Sequence, residues 1–358
     1  MQEKIKKLIK SSKKVIIDCS LENGAIVAAN SIDNDYPSQA KNYFYVWPRD
    51  ASYACIAADV LGMEKIQDKF FKWVEKNVVS WKEDGIFYEK YYVNGLEAMG
   101  NFQPGQSGIF LYALWHHIKT KRKNIKEYKF LITNTANGIC KNWDKNKFKG
   151  ANQDLWEERF CFPDVAENFT YSLSACISGL EKANQLIPSK NHFTKIKEMK
   201  DVLKSELKKE SYIPRTIGKF SDKRIDASAL GLIWPFETVK LDSKIATKTI
   251  KLIEKKLVKN FGVHRYEEDE YDGWMYRMLH RRKGAGFWPL LNFWFALVLN
   301  QRGEKVKALK YFNKGISRVK GDIPEQIFNN NYQKAVSPLC WSHVMFVLAS
   351  KELGYLEK

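Results

Sequence analysis

Two kinds of helix alternate along this chain, and the alternation constrains the fold more than any other feature. Segments 3–17, 63–79, 125–144, 192–208, 242–258 and 303–318 each carry one apolar stripe on a charged, often Lys-rich cylinder. In the first the stripe is Ile5, Leu8, Ile9, Val15 and Ile16, and in the second it is Phe70, Trp73, Val74 and Val78. Segments 49–61, 106–118, 164–183, 226–234, 287–299 and 338–350 are apolar on nearly every side. A helix with a single apolar stripe lies on a surface, and one that is apolar all round is buried. Six outer helices, each leading to an inner one, predict two concentric rings: an all-α (α/α)6 barrel. Strand-like alternation is scarce. No Gly/Ser/Pro-rich linker interrupts the rhythm, so residues 1–358 read as one domain.

Helix start signals orient the ring. Asp50, Asp164 and Asp226 read as N-caps of inner helices, Asp164 with Glu167 as a capping box, and Ser337-Pro338 as a cap followed by Pro at the first helical position. In such a ring all inner helices start at the same end. The loops that lead into them therefore converge on one mouth, where helix N-termini contribute free N–H groups and partial positive charge.

The unusual residues fall in those loops. KNYFYVWPRD (41–50), GNFQPGQSG (100–108), GANQDLWEERFCFPD (150–164), HRYEEDEYDGW (264–274), Trp288 and GDIPEQIFNNN (321–331) all precede inner helices. The inner-to-outer loops carry no comparable cluster. Two of the mouth loops each offer a glutamate, Glu157 and Glu325. Carboxyls on opposite walls of a pocket can divide acid and base work, the more desolvated one being protonated and the other remaining ionised. That is the residue set of glycoside hydrolysis. Trp, Tyr, Arg and Asp beside them suit a polyhydroxylated ring, with aromatic faces for its C–H side and charged groups for its hydroxyls.

Composition narrows the alternatives. Lys plus Arg outnumber Asp plus Glu by 59 to 41, a net charge of +18. The lysines are spread over many segments and no arm or stripe collects them. They read as a solvated coat, so neither nucleic acid nor a membrane surface is expected as a partner. The longest uncharged run, 284–300, is broken by Pro289 and Asn292 and is too short to span a bilayer. The N-terminal segment is Lys-rich without an apolar core, which is unlike a signal peptide. Six cysteines without a CxxC pair or nearby His ligands point to reduced thiols, no zinc module and a cytoplasmic setting. No nucleotide-binding loop is present, so no cofactor is expected.

WPRD, QPGQSG, LWEER, RYEEDEY and the EQ pair followed by LCWSH occur in this order over nearly the whole chain. Together they resemble glycoside hydrolase family 15, the glucoamylase and glucodextranase family. The resemblance implies an (α/α)6 barrel that releases glucose from non-reducing ends with inversion. It implies Glu157 as general acid and Glu325 as general base. It implies that Arg49 and Asp50 grip the terminal glucose, with Tyr43 and Trp47 in the same pocket. Trp156, Glu158 and Arg265 would lie near the scissile bond, Trp288 would form a wall, and Gln103 and Gln326 belong to the matching motifs as substrate-binding positions. Ser107 or Gly105 stands where the family pattern usually carries an acidic residue. No appended β-sandwich or starch-binding domain is read, which favours soluble oligosaccharides over granular starch as partner. Trehalase-like or isomaltase-like specificity, and a non-catalytic sugar-sensing barrel, are the alternatives.

Three weaker candidates have ordinary readings. The acidic run Glu267–Asp272 fits no EF-hand spacing and reads as a turn pairing with Arg281 and Arg282, so no metal is expected. His343 reads as a satisfied core histidine. His116 and His117 are adjacent and so point apart on a helix.

Overall fold

Every segment that the sequence makes apolar all round becomes an inner helix. The computed structural model describes residues 1–32, 36, 40–273, 284–319, 321–330 and 333–356. Its helices are α1 (Gln2–Cys19), α2 (Pro48–Val60), α3 (Glu64–Asn77), α4 (Val79–Asp84), α5 (Pro104–Lys121), α6 (Lys129–Asn142), α7 (Thr170–Leu186), α8 (Lys190–Leu207), α9 (Leu230–Ile233), α10 (Lys244–Lys256), α11 (Pro289–Gln301), α12 (Lys305–Ser317) and α13 (Cys340–Glu352). Helix α2 packs on α5, α5 on α7, α7 on α9, α9 on α11, α11 on α13, and α13 closes back on α2. Around this ring α1 lies on α13, α3 on α2, α6 on α5, α8 on α7 and α12 on α11. The arrangement is the expected (α/α)6 barrel. Among the described residues no helix is long and apolar enough to cross a membrane.

Aromatic side chains from four inner helices fill the barrel axis. Tyr53 of α2 stacks on Trp341 of α13 with ring centroids 5.5 Å apart and meets Trp294 of α11 edge-on at 5.9 Å. Tyr171 of α7 reaches Trp294 at 6.4 Å. Burying one such side chain is worth roughly 1.5–3 kcal/mol, with ring–ring geometry adding about 0.5–1.5. Trp341 belongs both to this plug and to the cavity above it, so core packing forms the floor of the site.

Helices α5 and α7 approach through glycines. A Cβ on Gly108 would stand 2.3 Å from the carbonyl carbon of Ala175, and one on Gly179 would stand 2.4 Å from the carbonyl oxygen of Gly108. Gly inside a helix costs about 1 kcal/mol relative to Ala, but here it permits backbone contact. Gly108→Ala is expected to lower stability by about 1–3 kcal/mol in denaturant unfolding, because two rigid helices must separate. An unchanged or raised midpoint would contradict the close approach.

The helix starts differ from expectation in three places. Pro48 opens α2, so Asp50 lies in the first turn rather than at the cap. Asp164 sits in a short 3-10 turn, and α7 begins only at Thr170 with Phe169 before it, so there is no capping box. Helix α13 begins at Cys340 after Leu339, beyond Ser337-Pro338. Asp226 does act as a cap, accepting from Ser228 N at 2.7 Å. The inner element it opens is a 3-10 turn followed by one turn of α-helix, much shorter than the pattern over 226–234 suggested. Pro235 follows and cannot continue the helix.

Among the described residues five two-stranded antiparallel sheets also appear, and all their strands lie in outer-to-inner connections. The longest strand is Glu97–Phe102. Such short pairings leave no alternation long enough to read from sequence.

Candidate active site

At the N-terminal ends of the inner helices lies a cavity of about 620 Å³. Ten of the twelve sequence-derived site residues line it: Tyr43 and Trp47 from the loop before α2, with Arg49 and Asp50 from its first turn; Trp156, Glu157 and Glu158 from the connection before α7; then Arg265, Trp288 and Glu325. These residues come from four different outer-to-inner connections, which is the convergence that the ring orientation requires.

The other two do not reach it. Gln103 is buried below the wall, where its amide donates to Gln153 Oε1 at 3.0 Å and its carbonyl oxygen accepts from Gln106 Nε2 at 3.0 Å. Gln106 in turn accepts from Arg49 N at 2.8 Å, so this amide network positions the start of α2. Gln326 points behind Glu325, and its Oε1 accepts from Gly286 N at 2.9 Å. Both are scaffold residues: Gln326 turns away because neighbouring side chains along an extended loop point to opposite sides, and Gln103 stands at the start of α5 within its amide network.

On one wall, Glu157 has φ +65°, a left-handed conformation uncommon for a non-glycine residue. Asp154 holds that turn. Its backbone oxygen accepts from Glu157 N at 3.2 Å, and its Oδ1 accepts from Glu158 N at 2.9 Å and Arg159 N at 3.1 Å. The guanidinium of Arg215 pairs with the other oxygen of Asp154 and lies 3.3 Å from Asp226. Asp226 also accepts from Trp156 Nε1 at 3.1 Å, so one helix-capping carboxylate fixes the indole beside the candidate acid. About a quarter of the Glu157 side chain faces the cavity (25% exposed), with Arg49 Nη2 at 3.5 Å. Desolvation by the enclosing walls pushes the Glu157 pKa up to about 7, against the pull of Arg49 and Lys90.

Arg49 is built in rather than merely adjacent. It donates from Nε to Asp50 Oδ1 at 2.9 Å and from Nη1 to the Leu155 carbonyl at 2.7 Å, and its guanidinium lies 4.8 Å from the Trp341 ring. Burial raises Asp50 above the usual carboxylate range despite that partner.

On another wall, Glu325 is almost fully buried (3% exposed). Tyr43 donates to its Oε1 at 2.9 Å. Among the described residues its Oε2 has no hydrogen-bond partner, and the Gln326 amide lies near without bonding geometry. Burial pushes Glu325 up to about 7, outweighing Tyr43, Arg265 and Lys41. The sequence reading expected one raised carboxyl and one that stays readily ionised. Both are raised, because both sit in low-dielectric walls and neither has a full counter-charge.

Between the walls, Arg265 binds Asp269 through two bonds, at 2.9 and 2.7 Å, and donates to Glu158 at 2.6 Å. Its guanidinium lies 5.0 Å from the Trp288 ring and 4.8 Å from the Tyr271 ring. The acidic run is thus divided: Asp269 serves Arg265, Glu267 pairs with Lys256 at 2.8 Å, and Glu268, Glu270 and Asp272 line the cavity. The proposed partners Arg281 and Arg282 lie outside the described residues. Among the described residues no three His, Cys, Asp or Glu side chains group as a metal ligand set.

Sequence reasoning missed Lys90, Tyr271 and Trp341 as cavity residues. Tyr271 and Trp341 stand inside the quoted RYEEDEY and LCWSH motifs, so the signal was present. Lys90 belongs to the strand Tyr88–Tyr91 and lies outside every motif.

Elsewhere, His343 is the satisfied core residue expected. Its Nε2 accepts from Ile323 N at 2.8 Å and its Nδ1 lies 2.9 Å from Ser12 Oγ, while burial lowers its pKa to about 4 and keeps it neutral. His116 and His117 share one partner, and His117 has a second in Asp68, 3.0 Å from its Nε2. Both reach Asp59, at 2.8 and 2.7 Å, because that carboxylate sits between them on α2. All six cysteines are buried free thiols.

Fold and cavity together define a class: a glucoamylase-like (α/α)6 barrel with Glu157 and Glu325 on separate walls of the pocket at its mouth. No family model matches the chain. An uncharacterized glycosyl hydrolase of Methanocaldococcus jannaschii is 30% identical over 361 aligned residues, covering 92% of this chain and 53% of that relative. The chain therefore spans about half the length of this relative. An isomaltose glucohydrolase of Kribbella flavida is 20% identical and covers 87% of this chain and 85% of its own. Among solved structures, a glycosidase in complex with glucose superposes with a TM-score of 0.81 at 21% identity, covering 99% and 98% of the two chains. A bacterial glucoamylase complexed with acarbose gives 0.72 at 17% identity, covering 96% of this chain and 55% of that one.

Proposed function

We propose that this protein is an exo-acting, inverting α-glucoside hydrolase that releases β-glucose from the non-reducing ends of soluble α-linked gluco-oligosaccharides. The observation that carries the reading is a pair of carboxyls, the buried Glu325 and the partly exposed Glu157, on separate loops of one cavity and both pushed up to about 7. A carboxyl with that pKa exchanges its proton readily near neutrality, as acid–base catalysis requires. Residues 1–358 act in this reading as one catalytic unit.

Glu157 protonates the glycosidic oxygen as the C1–O bond breaks. Water attacks C1 from the opposite face and gives its proton to Glu325. The proton then returns from Glu325 to Glu157 through solvent, which restores the enzyme. Inversion requires about 6.5–9.5 Å between the carboxyls, room for that water. Arg49 and Asp50 bind hydroxyls of the terminal ring above Trp341. Arg265, Glu158, Trp156 and Trp288 contact the next sugar.

Fresh product followed by NMR is expected to be β-glucose, and initial formation of α-glucose would exclude this mechanism. The likeness to an isomaltose glucohydrolase over most of both chains supports a second specificity, for short α-1,6-linked substrates. Comparing glucose release from isomaltose, maltose, trehalose and maltodextrins decides between them.

The pH profile follows from the same groups. The base must be ionised, so kcat/KM rises with pH through the ionisation of Glu325. The acid must be protonated, so the rate falls through that of Glu157. With both near 7, the profile is expected to be a narrow bell centred near neutrality, whose limbs belong to the interacting pair. A plateau several pH units wide would contradict the assignment.

A further inference from the structure

Tyr43 has one O–H and two oxygen neighbours. It donates to Glu325 Oε1 at 2.9 Å, and Tyr271 Oη lies 3.1 Å from its own oxygen. A phenol that gives its only proton to a carboxylate must accept from a second hydroxyl. We propose that Tyr271 is a positioning residue for Glu325, donating to Tyr43 and thereby strengthening the Tyr43 bond to the carboxylate. The inference rests on the reading of Glu325 as base.

Tyr271 is held for this role. Its backbone N–H donates to Asp269 Oδ1 at 3.0 Å, and Asp269 is the carboxylate that clamps Arg265. Arg265 lies against one side of the ring at 4.8 Å, and Trp288 packs against it with centroids 6.1 Å apart. A continuous path therefore runs from Glu158 through Arg265, Asp269, Tyr271 and Tyr43 to Glu325. It joins the loop of the candidate acid to the candidate base. Hydrogen bonds polarise one another only along the contiguous stretch Tyr271 Oη–Tyr43 Oη–Glu325, where a low dielectric strengthens each member by about 10–30%, and the backbone bond to Asp269 fixes the place of the Tyr271 ring.

Other groups also face Glu325. Tyr36 and Tyr271 act on it from neighbouring loops, and Arg265 and Lys41 supply positive charge. Glu157 shares the cavity and acts on both tyrosines of the relay. None of these passes through the Tyr43 hydroxyl except Tyr271, which makes the proposal separable by a double-variant cycle.

The experiment measures kcat/KM against pH for the parent, Tyr43→Phe, Tyr271→Phe and the double variant, with Glu325→Gln as reference. Loss of a hydrogen bond to a charged group corresponds to about one pH unit or more, so Tyr43→Phe is expected to move the ascending limb up by that amount. Tyr271→Phe is expected to move the same limb up by a few tenths of a unit, with thermal stability of the two proteins compared at one pH. In the Tyr43→Phe background the Tyr271 substitution should move it no further, because the route through Tyr43 is gone. Equal shifts in both backgrounds, no shift, or a downward shift in Tyr271→Phe would overturn the relay. Those results leave the base assignment intact if Glu325→Gln is inactive. An active Glu325→Gln variant would instead remove the underlying reading.

Discussion

Glu157→Gln and Glu325→Gln are each expected to lose about 10²–10⁴ of kcat on an unactivated oligosaccharide, the usual worth of one positioned proton-transfer group. The two variants should differ on an activated substrate. Glucosyl fluoride has a leaving group that needs no proton, so Glu157→Gln should recover most of its loss there. Glu325→Gln should not, because water still needs a base. Equal recovery by both variants, or activity near the parent level in either, would falsify the division of roles. Misfolding cannot explain the losses. A folded-state pKa raised from 4.5 to about 7 means that the carboxyl favours folding fully below about pH 4.5 and loses that contribution as pH rises through 7. Above 7 the buried charge costs up to about 3 kcal/mol relative to a neutral group, from 1.36 kcal/mol per pH unit. The amide carries no such cost. Glu325→Gln should therefore melt at or above the parent temperature at pH 8, with the advantage vanishing by pH 5.

Arg49→Met is expected to have the second largest effect, on stability and activity together. Arg49 and Asp50 are both nearly inaccessible to solvent and bonded at 2.9 Å. Removing one member of a buried ion pair leaves the other uncompensated, typically at a cost of about 3–5 kcal/mol. Adding Asp50→Asn should restore much of that stability, since it removes the orphaned charge. It should not restore catalysis. If the pair holds substrate as proposed, kcat/KM is expected to fall by at least about a hundredfold in the double variant, on the scale of 2–5 kcal/mol for a desolvated charge pair. The descending limb of the pH profile should also move up in Arg49→Met, because Arg49 holds the Glu157 pKa down. Full activity in the double variant would show that the pair serves folding alone.

Much of this was legible in the chain because burial writes itself into composition at helical period. A helix such as Pro289–Gln301, apolar on every side, has no stable place but an interior. A helix such as Lys244–Lys256, whose buried face is Ala246, Thr249, Ile250 and Ile253, has a place only on a surface. Alternation of the two set the ring, the ring set which loops share an end, and shared loops brought Arg49, Glu157 and Glu325 to one cavity. Helix starts were less legible. Asp164 has the residue type of a cap, but the chain pairs Asn168-Phe169 with Thr216-Ile217 first, and that pairing delays α7 to Thr170.

The sequence by itself determined the architecture and which loops carry Glu157 and Glu325 to one end of it, since both follow from residue type and order along one chain. Tertiary structure alone decided which face of each loop the side chains present. It turned Gln103 and Gln326 away into the scaffold, brought Tyr271 onto Tyr43 across 228 residues, and stacked Arg49 on Trp341. It also raised Glu157 and Glu325 together rather than apart. These outcomes depend on dielectric and distance between segments remote in the chain, and neither quantity is encoded in local pattern.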